Sequence, residues 1–386
     1  MSMVATYADP AVFTASPWSV DVSGALRRGS VAGLIERAEL GSAGISSIVL
    51  DDPDGTLGHS SDAILGLKQI WVDETDCPAG DQRIYTGFIA DRKYRRGDSL
   101  ITGVARKIDV TLVDCNEILT ERIMHLGFGA DPAQPCDRPA ETDFERIAWL
   151  LITGYLRGVS PTTGFVASTG PVDMDACNYE GQKPADILND CSQQSGRNHF
   201  IYPLQTGDAG YDPATAICGL FYDFNSAAVY SSSLQISNLL ADVDNVTTFA
   251  PEPDAELTRD PSRVAAGIYM PFDGGTTYQE NLPTAITYAF RDQAAPSTNV
   301  TTLTNANVRA GRYLAENATE EDRITCTLKL PKAKVTGIKA GHRIQAKFSH
   351  LPGMTSYKWC RILTRTVKQD ETTAESYNVG LEMSYE

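Results

Sequence analysis

The chain has 386 residues, 42% hydrophobic and 21% charged, with 33 basic against 49 acidic side chains and a formal net charge of −16. That length predicts roughly two to four domains. The hydrophobic fraction excludes a disordered chain, and the acidic balance argues against stable binding to phosphate backbones or anionic lipid surfaces. The apolar run around Ile147–Leu156 is short of the ~20 residues that span a membrane, so no membrane insertion is expected. The start MSMVATYADPAVF lacks the basic opening and long apolar core of a secretion signal, so export by that route is not expected.

The first ~110 residues read as strands. Ile45–Leu50 is a β-branched run stopped by the Asp51-Asp52-Pro53-Asp54-Gly55 turn. Leu67–Val72 and Arg83–Lys93 follow, separated by Cys77-Pro78-Ala79-Gly80-Asp81. Strands at this spacing, with polar turns between them, suggest a small barrel or sandwich.

Residues 111–200 change character. Asp114 and Glu117 have capping-box spacing, with Ile118, Leu119 and Ile123 on one helical face behind them. Thr142 and Glu145 repeat that spacing, and Phe144, Ile147, Ala148, Leu151, Ile152 and Tyr155 then recur as an amphipathic stripe. A third helix is expected from Pro184, a favoured first-turn residue, to Gly196, with Ile187, Leu188 and Cys191 facing a core.

From His199 the β pattern returns, with Phe200–Pro203, Ala216–Tyr222 and Ala227–Ile236 as a meander. Residues 241–261 are acidic and hold Pro251, Pro253 and Pro261, which reads as a loop or ragged strand. Val264–Pro271 is a short strand, and Thr304–Leu314 a helix with Thr304 as its N-cap. The end of the chain is again strands: Ile324–Leu330, His342–Phe348, Lys358–Val367 and Ser376–Met383. One internal echo stands out. Gly66–Val72 (GLKQIWV) and Gly341–Lys347 (GHRIQAK) each open with Gly, place a basic residue near Ile, and precede a turn and a second strand. Two copies of one barrel unit would produce it.

No catalytic, cofactor-binding or metal-binding residue is expected. Asp51, Asp52, Asp54 and Gly55 lack the alternating ligands and closing Glu of a calcium loop, and Asp242 and Asp244 are followed by Val246 where a ligand belongs. The histidines, His59, His125, His199, His342 and His350, show no helical zinc spacing. The cysteines, Cys77, Cys115, Cys136, Cys177, Cys191, Cys218, Cys326 and Cys360, contain no CxxC and read as reduced, mostly buried thiols. Arg96-Gly97-Asp98 reads as a basic strand end and turn, and the N-x-T sequons at Asn245, Asn299 and Asn317 as incidental. Asp242–Asp260 holds six acids against Arg259 alone, which fits a solvated loop or the lining of a channel that DNA must not adhere to.

The segments Ile45–Gly55 (ISSIVLDDPDG), Gly66–Val72 and Tyr85–Ile89 (YTGFI) resemble the first barrel of phage tail hub proteins. Gly341–Gly353 (GHRIQAKFSHLPG), Tyr357–Val367 and Tyr377–Ser384 look like the closing barrel of minor tail proteins of actinobacterial siphophages. Asn178–Tyr202, with GQKPADILNDCSQQSG, and Leu234–Ala250 leading to Asp260–Val264 are similar to the inserted domain of the same proteins.

The resemblance implies an α+β, mainly β chain with two tail-tube-like β-barrel domains and two smaller inserted or peripheral α+β domains. The expected boundaries are 1–110 for the first barrel, 111–205 for the inserted domain, 206–244 and 322–386 for the two parts of the second barrel, and 245–321 for the peripheral domain. It implies a non-enzymatic, trimeric tail-tip hub, assembled in the host cytoplasm, that adapts a sixfold tube to a threefold tip. Its partners would be its own copies, tail tube and distal tail proteins, tip fibre or spike proteins, and a tape-measure protein. DNA would pass through a net negative lumen without specific binding. The family's longer members carry a fibre or hydrolase extension after the last strand, where this sequence stops at Glu386, so receptor binding and wall digestion are not expected. The rival readings are a sixfold distal tail protein, a cell-wall hydrolase, and a carbohydrate-binding module using Trp18, Trp71, Trp149 or Trp359.

Overall fold

The computed structural model describes residues 3–8, 19–21, 33–38, 43–52, 69–78, 82–96, 106–120, 123–124, 136–152, 156, 158–161, 166, 170–204, 208–212, 216–223, 231–289, 291–295, 300–369 and 375–385. The architecture is mainly β, with four α-helices among the described residues.

The N-terminal strands are β1 (Met3–Ala8), β2 (Ser19–Asp21), β3 (Leu34–Arg37), β4 (Ile45–Asp52), β5 (Gln69–Glu74), β6 (Arg83–Arg96) and β7 (Arg106–Asp114). A middle unit follows with β8 (Asp137–Arg138), β9 (Glu141–Thr142), α1 (Asp143–Ile152), β10 (Gly158–Val159), β11 (Asp173–Met174), β12 (Cys177–Asn178), α2 (Pro184–Ser195), β13 (Asn198–Pro203) and β14 (Ala216–Asp223). Then come β15 (Ser231–Ser237), β16 (Thr248–Phe249), β17 (Glu256–Asp260), β18 (Gly267–Phe272), β19 (Gly275–Glu280), α3 (Leu282–Tyr288), β20 (Asp292–Ala294) and α4 (Leu303–Glu316). The chain closes with β21 (Glu321–Pro331), β22 (Arg343–Lys347), β23 (Lys358–Gln369) and β24 (Ser376–Tyr385).

Two large sheets dominate. The six-stranded sheet has the order β2-β1-β5-β6-β7-β4, and the eight-stranded sheet β16-β15-β22-β23-β24-β21-β17, with β3 pairing β23 off that path. Alternation makes one face of each apolar: Ile48 and Leu50, Ile70 and Val72, and Ile108, Val110 and Leu112 in the first, and Ile324, Leu328, Val379, Leu381, Ile344 and Val367 in the second. These residues form one continuous core across both sheets.

Five strands of each sheet repeat one order. Taken in chain order, β1, β4, β5, β6 and β7 lie as first-third-fourth-fifth-second, and so do β15, β21, β22, β23 and β24. The fourth strand carries a bulge against the fifth in both, at Ile89/Asp91 facing β7 and at Ile362/Thr364 facing β24. The copies differ at their first strand: β1 runs antiparallel to β5, and β15 parallel to β22.

The sheets are locked at a polar seam. Arg365 of β23 is fully buried and donates to Glu36 Oε2 of β3 (2.7 Å), to the Ile84 carbonyl of β6 (2.8 Å) and to the Val335 carbonyl (2.9 Å). Tyr377 of β24 donates to Glu74 Oε2 of β5 at 2.5 Å. The Cys77 thiol reaches the Lys332 carbonyl at 3.1 Å.

The middle unit packs α1 and α2 on the sheet β10-β14-β13. Its polar core is the buried Arg197–Asp143 pair (2.9 Å), with Tyr222 also donating to Asp143, and Arg146 held by Glu141 and Tyr179. A smaller unit packs α4 against β19-β18-β20 through Ile268, Met270, Ala306, Ala310 and Leu314. It is fastened to the middle unit by Asp175, which accepts from Thr301 N, Thr302 N and Asn305 Nδ2, and by Arg309, which meets Asp190 and Gln193.

Several expectations shift. The expected meander divides: β13 and β14 pair with each other, while β15 joins the eight-stranded sheet beside β22. The helix expected after Asp114 is a 3₁₀ turn, Cys115–Leu119, because the Asp114 side chain caps Asn116 N and Thr120 already closes the turn. The Thr142–Glu145 capping box forms as expected, but α1 is rotated. Asp143, Arg146, Ile147, Leu150 and Leu151 are inside and Ile152 is 68% exposed, because the buried arginine network claims the face between them. The cap of α4 is Thr302, not Thr304. Neither β19 nor α3 was anticipated from the pattern. Helix α2 runs as expected to a left-handed Gly196.

Replacing Arg365 by Ala leaves Glu36 buried without its cation and two carbonyls without donors. Losing one partner of a buried pair costs about 3–5 kcal/mol. The Arg365→Ala protein is therefore expected to unfold at clearly lower urea than wild type, and a loss below about 1 kcal/mol would show that the seam is not structural.

Candidate assembly interface

The cavity between the two sheets and the middle unit is the first place to look for chemistry. It has a volume of about 350 Å³ and is lined by Glu36, Arg37, Asp114, Asn116, Lys339 and His342 among others. Asp114 ends β7 and is almost wholly buried. It accepts three backbone N–H groups, from Arg37, Gly44 and Asn116, each at 3.0 Å, and so staples the β3–β4 connection to the end of the first sheet. Burial raises its carboxyl to about 7, against the pull of those three donors. Asn116 donates to the Arg37 carbonyl and accepts from Ile201 N, which ties the middle unit to the same point. These are positioning contacts.

The nearest thing to a nucleophile–base pair is Ser192 Oγ with His199 Nδ1, 2.5 Å apart. Both are buried, and burial first, then the Arg361 charge, lowers His199 to about 3. A ring that resists protonation in this way is a poor general base at neutral pH. Cys115, hydrogen-bonded to the Cys218 thiol and buried, has its own thiol raised, as has Cys191 by burial. All eight cysteines are free and all but Cys177 are buried. Raised thiols are weak nucleophiles. Among the described residues, no group of three or more His, Cys, Asp or Glu side chains is placed to hold a metal ion, and no helix is long and apolar enough to cross a membrane.

The other sequence candidates fall into structural places. Asp51 and Asp52 end β4, with Pro53–Gly55, His59, His125, Gly97, Asp98, Asn299 and Trp18 outside the described residues. Asp242 accepts from Lys347 Nζ and Ser237 Oγ, both at 2.9 Å. Asp244 accepts the N–H groups of Val246, Thr247 and Thr248, and its carboxyl is lowered first by the Thr247 hydroxyl and then by those bonds. His350 accepts from Asn238 at Nδ1 and donates from Nε2 to the Ala255 carbonyl. Arg83 lies over Trp71 and Arg343 over Trp359, while Trp149 is buried, so these three rings serve packing. Asn245 sits in the turn at positive φ, and Asn317 caps the end of α4.

The acids of 242–260 do not make the solvent face of the eight-stranded sheet negative. Alternation puts Arg323, Lys329, Arg343, Lys347, Arg361 and Lys368 on it, against Glu256, Asp260 and Glu382. Arg361 there meets the ring of Phe200, so the middle unit covers part of that face.

No protein-family model matches the chain, and no curated protein matches it. Solved structures do. A tail protein from Neisseria meningitidis MC58 superposes with a TM-score of 0.60 at 11% identity, covering 100% of this chain and 97% of that one. The 43 kDa tail protein of prophage MuSo2 from Shewanella oneidensis gives 0.57 at 13%, covering 99% and 98%. The chain shares the fold of these two tail proteins. A chain of a Francisella PdpA-VgrG complex matches at 0.50 and 9% identity, and there this chain spans 52% of its length.

Asp114 carries a pH signature. A carboxyl raised in the folded state binds its proton more tightly there than in the unfolded chain, so its contribution to stability is full below its ordinary value near 4 and is lost as pH rises through about 7. Asp114→Asn keeps an acceptor and removes the titration. Urea midpoints measured from pH 4 to pH 8 are expected to fall less with rising pH in Asp114→Asn than in wild type, and parallel curves would contradict the assignment.

Proposed function

We propose that the protein is a trimeric tail-tip hub, a structural virion protein that adapts the sixfold tail tube to a threefold tip. The observation that carries this reading is the repeated five-strand order with its bulge on the same strand of each sheet. A chain with two equivalent units needs only three copies to present six of them around an axis. Closed rings of this kind form through head-to-tail contacts between unlike surfaces. The full-length likeness to two tail proteins, one of them from a prophage, supports the setting.

In this reading β1, β2 and β4–β7 supply one tube-like unit, and β15–β17 with β21–β24 the other; the boundaries expected from the sequence shift because β14 pairs with β13 in the middle unit and β16 and β17 pair into the eight-stranded sheet. The middle unit, closed by β14, and the peripheral unit, β18–β20 with α3 and α4, sit outside the ring. Tail tube and distal tail proteins dock on one side of it, a fibre or spike on the other, and a tape-measure protein reaches it from within the tube. DNA crosses the lumen without specific contacts, and the chain catalyses no reaction. The site of action is the virion tail tip, after assembly in the host cytoplasm. The basic solvent face of the eight-stranded sheet means that a negative lumen has to come from other surfaces.

Native mass spectrometry of the purified protein tests the reading. A species of three times the chain mass is expected. A six-copy ring would favour the distal tail protein, and a single copy at every concentration would overturn the hub.

A further inference from the structure

The three-stranded sheet of the peripheral unit is covered on one side, where Ile268 and Met270 of β18 pack on α4. On the other side, alternation sets Gly267 and Tyr269 of β18 beside Tyr278 and Glu280 of β19 and Asp292 and Ala294 of β20. All of these except Gly267 are exposed, Tyr269 to 50% and Tyr278 to 42%. Just beyond Glu280, Leu282 and Ile286, one turn apart on α3, are 58% and 77% exposed. Large apolar side chains gathered in this way mark an interaction site.

The two tyrosines are held in place. They stand directly opposite each other, with ring centres 4.6 Å apart. Tyr278 leans across β18 and donates to Asp292 Oδ1 at 3.1 Å. It lies over Gly267, where a Cβ would come within 2.3 Å of its hydroxyl. The glycine therefore lets the ring lie flat on the sheet with one face to solvent. Covering a strand glycine accounts for Tyr278. It accounts neither for the exposed Tyr269 nor for the two carboxylates that flank the ring.

Those carboxylates set the chemistry of the ligand. Glu280 and Asp292 stand opposite Gly267 on its two sides, so their backbones are about 10 Å apart at the usual strand spacing. No basic side chain shares this face among the described residues: Arg291 turns to the Pro261 carbonyl and Arg263 to Glu321. A flat cation laid on the Tyr278 ring gains a cation–π contact, and the two carboxylates reach its edges from opposite sides. A guanidinium meets both demands, because it is planar and carries donors along its rim. An ammonium is a point charge with no flat face.

We propose that this face docks a neighbouring protein through an arginine, its guanidinium on Tyr278 between Glu280 and Asp292, with the apolar neighbours of that arginine on Tyr269, Leu282 and Ile286. Tyrosine and arginine are the side chains that most often dominate binding at protein interfaces. The net charge of −16 steers a basic partner toward the chain. The contact does not depend on how many copies form the ring, so it stands or falls separately from the hub reading.

The test uses the full chain with fluorine-labelled tyrosines and follows the Tyr269 and Tyr278 signals by NMR, assigned through Tyr269→Phe and Tyr278→Phe. The probes are acetyl-arginine amide, its uncharged isostere acetyl-citrulline amide, and cellohexaose. The arginine amide is expected to shift both signals saturably in the millimolar range, and the citrulline amide to bind roughly tenfold more weakly or less. Glu280→Gln/Asp292→Asn is expected to weaken the arginine amide roughly tenfold with an unchanged urea midpoint, which shows that the fold is intact. No shift with the arginine amide, or an equal response to arginine and citrulline, overturns the proposal. Signals that answer cellohexaose and not the arginine amide overturn it too, and assign the face to a glycan.

Discussion

The molecule depends on a buried guanidinium. Arg365 stands where four pieces of chain converge, with β3, β6 and the segment after β21 all presenting oxygens to it. A charge so placed is costly to desolvate and adds little net stability over a well-packed apolar residue. What it adds is specificity. Its bond to the Ile84 carbonyl ties β23 and its partner strand β3 to β6 of the other sheet, because a shift between the sheets would take that oxygen away from a buried cation. The apolar core around it is continuous but non-directional and would tolerate other alignments.

Fixing that register matters for an assembling protein more than for a solitary one. A ring closes only if every junction turns by the same amount. In the proposed ring, an internal junction that flexed would leave three copies as an open chain. The devices that cross the seam, Arg365 on the Ile84 carbonyl and Tyr377 on Glu74, make the internal angle a property of the folded chain. The middle and peripheral units are fastened by comparable means, through Asn116, Asp175 and Arg309.

Much of the strand framework was legible because its residues alternate cleanly. Ile45–Leu50, Ile324–Leu330 and Ser376–Met383 each lie within a strand of the structure. Helix α2 was legible from Pro184 and Gly196. Arg365 was not, and the reason is the bulge. Inward positions run Cys360, Ile362, then Arg365 and Val367, because the extra residue between Ile362 and Thr364 shifts the alternation by one. Read without it, Arg365 falls on the solvent face, where an arginine attracts no notice. The stripe of α1 misled for a related reason: Asp143 and Arg146 are polar by type but inside by partnership. The split of the meander at β15 lay beyond local pattern altogether, since pairing between distant strands leaves no mark on either one alone. The echo of Gly66–Val72 in Gly341–Lys347 falls on β5 and β22, each third in its sheet's chain order, but Gly66–Lys68 lie outside the described residues and the inward Ile70 and Ile344 stand one place apart in the two motifs.

The central claim is that each chain contributes two equivalent sheets to one ring. Electron cryo-microscopy of the assembled protein tests it most directly. The account predicts a threefold particle whose inner wall shows six sheets of the same strand order at even angular steps. A threefold particle with only one sheet of each chain at the axis, and the other splayed outward, would contradict it.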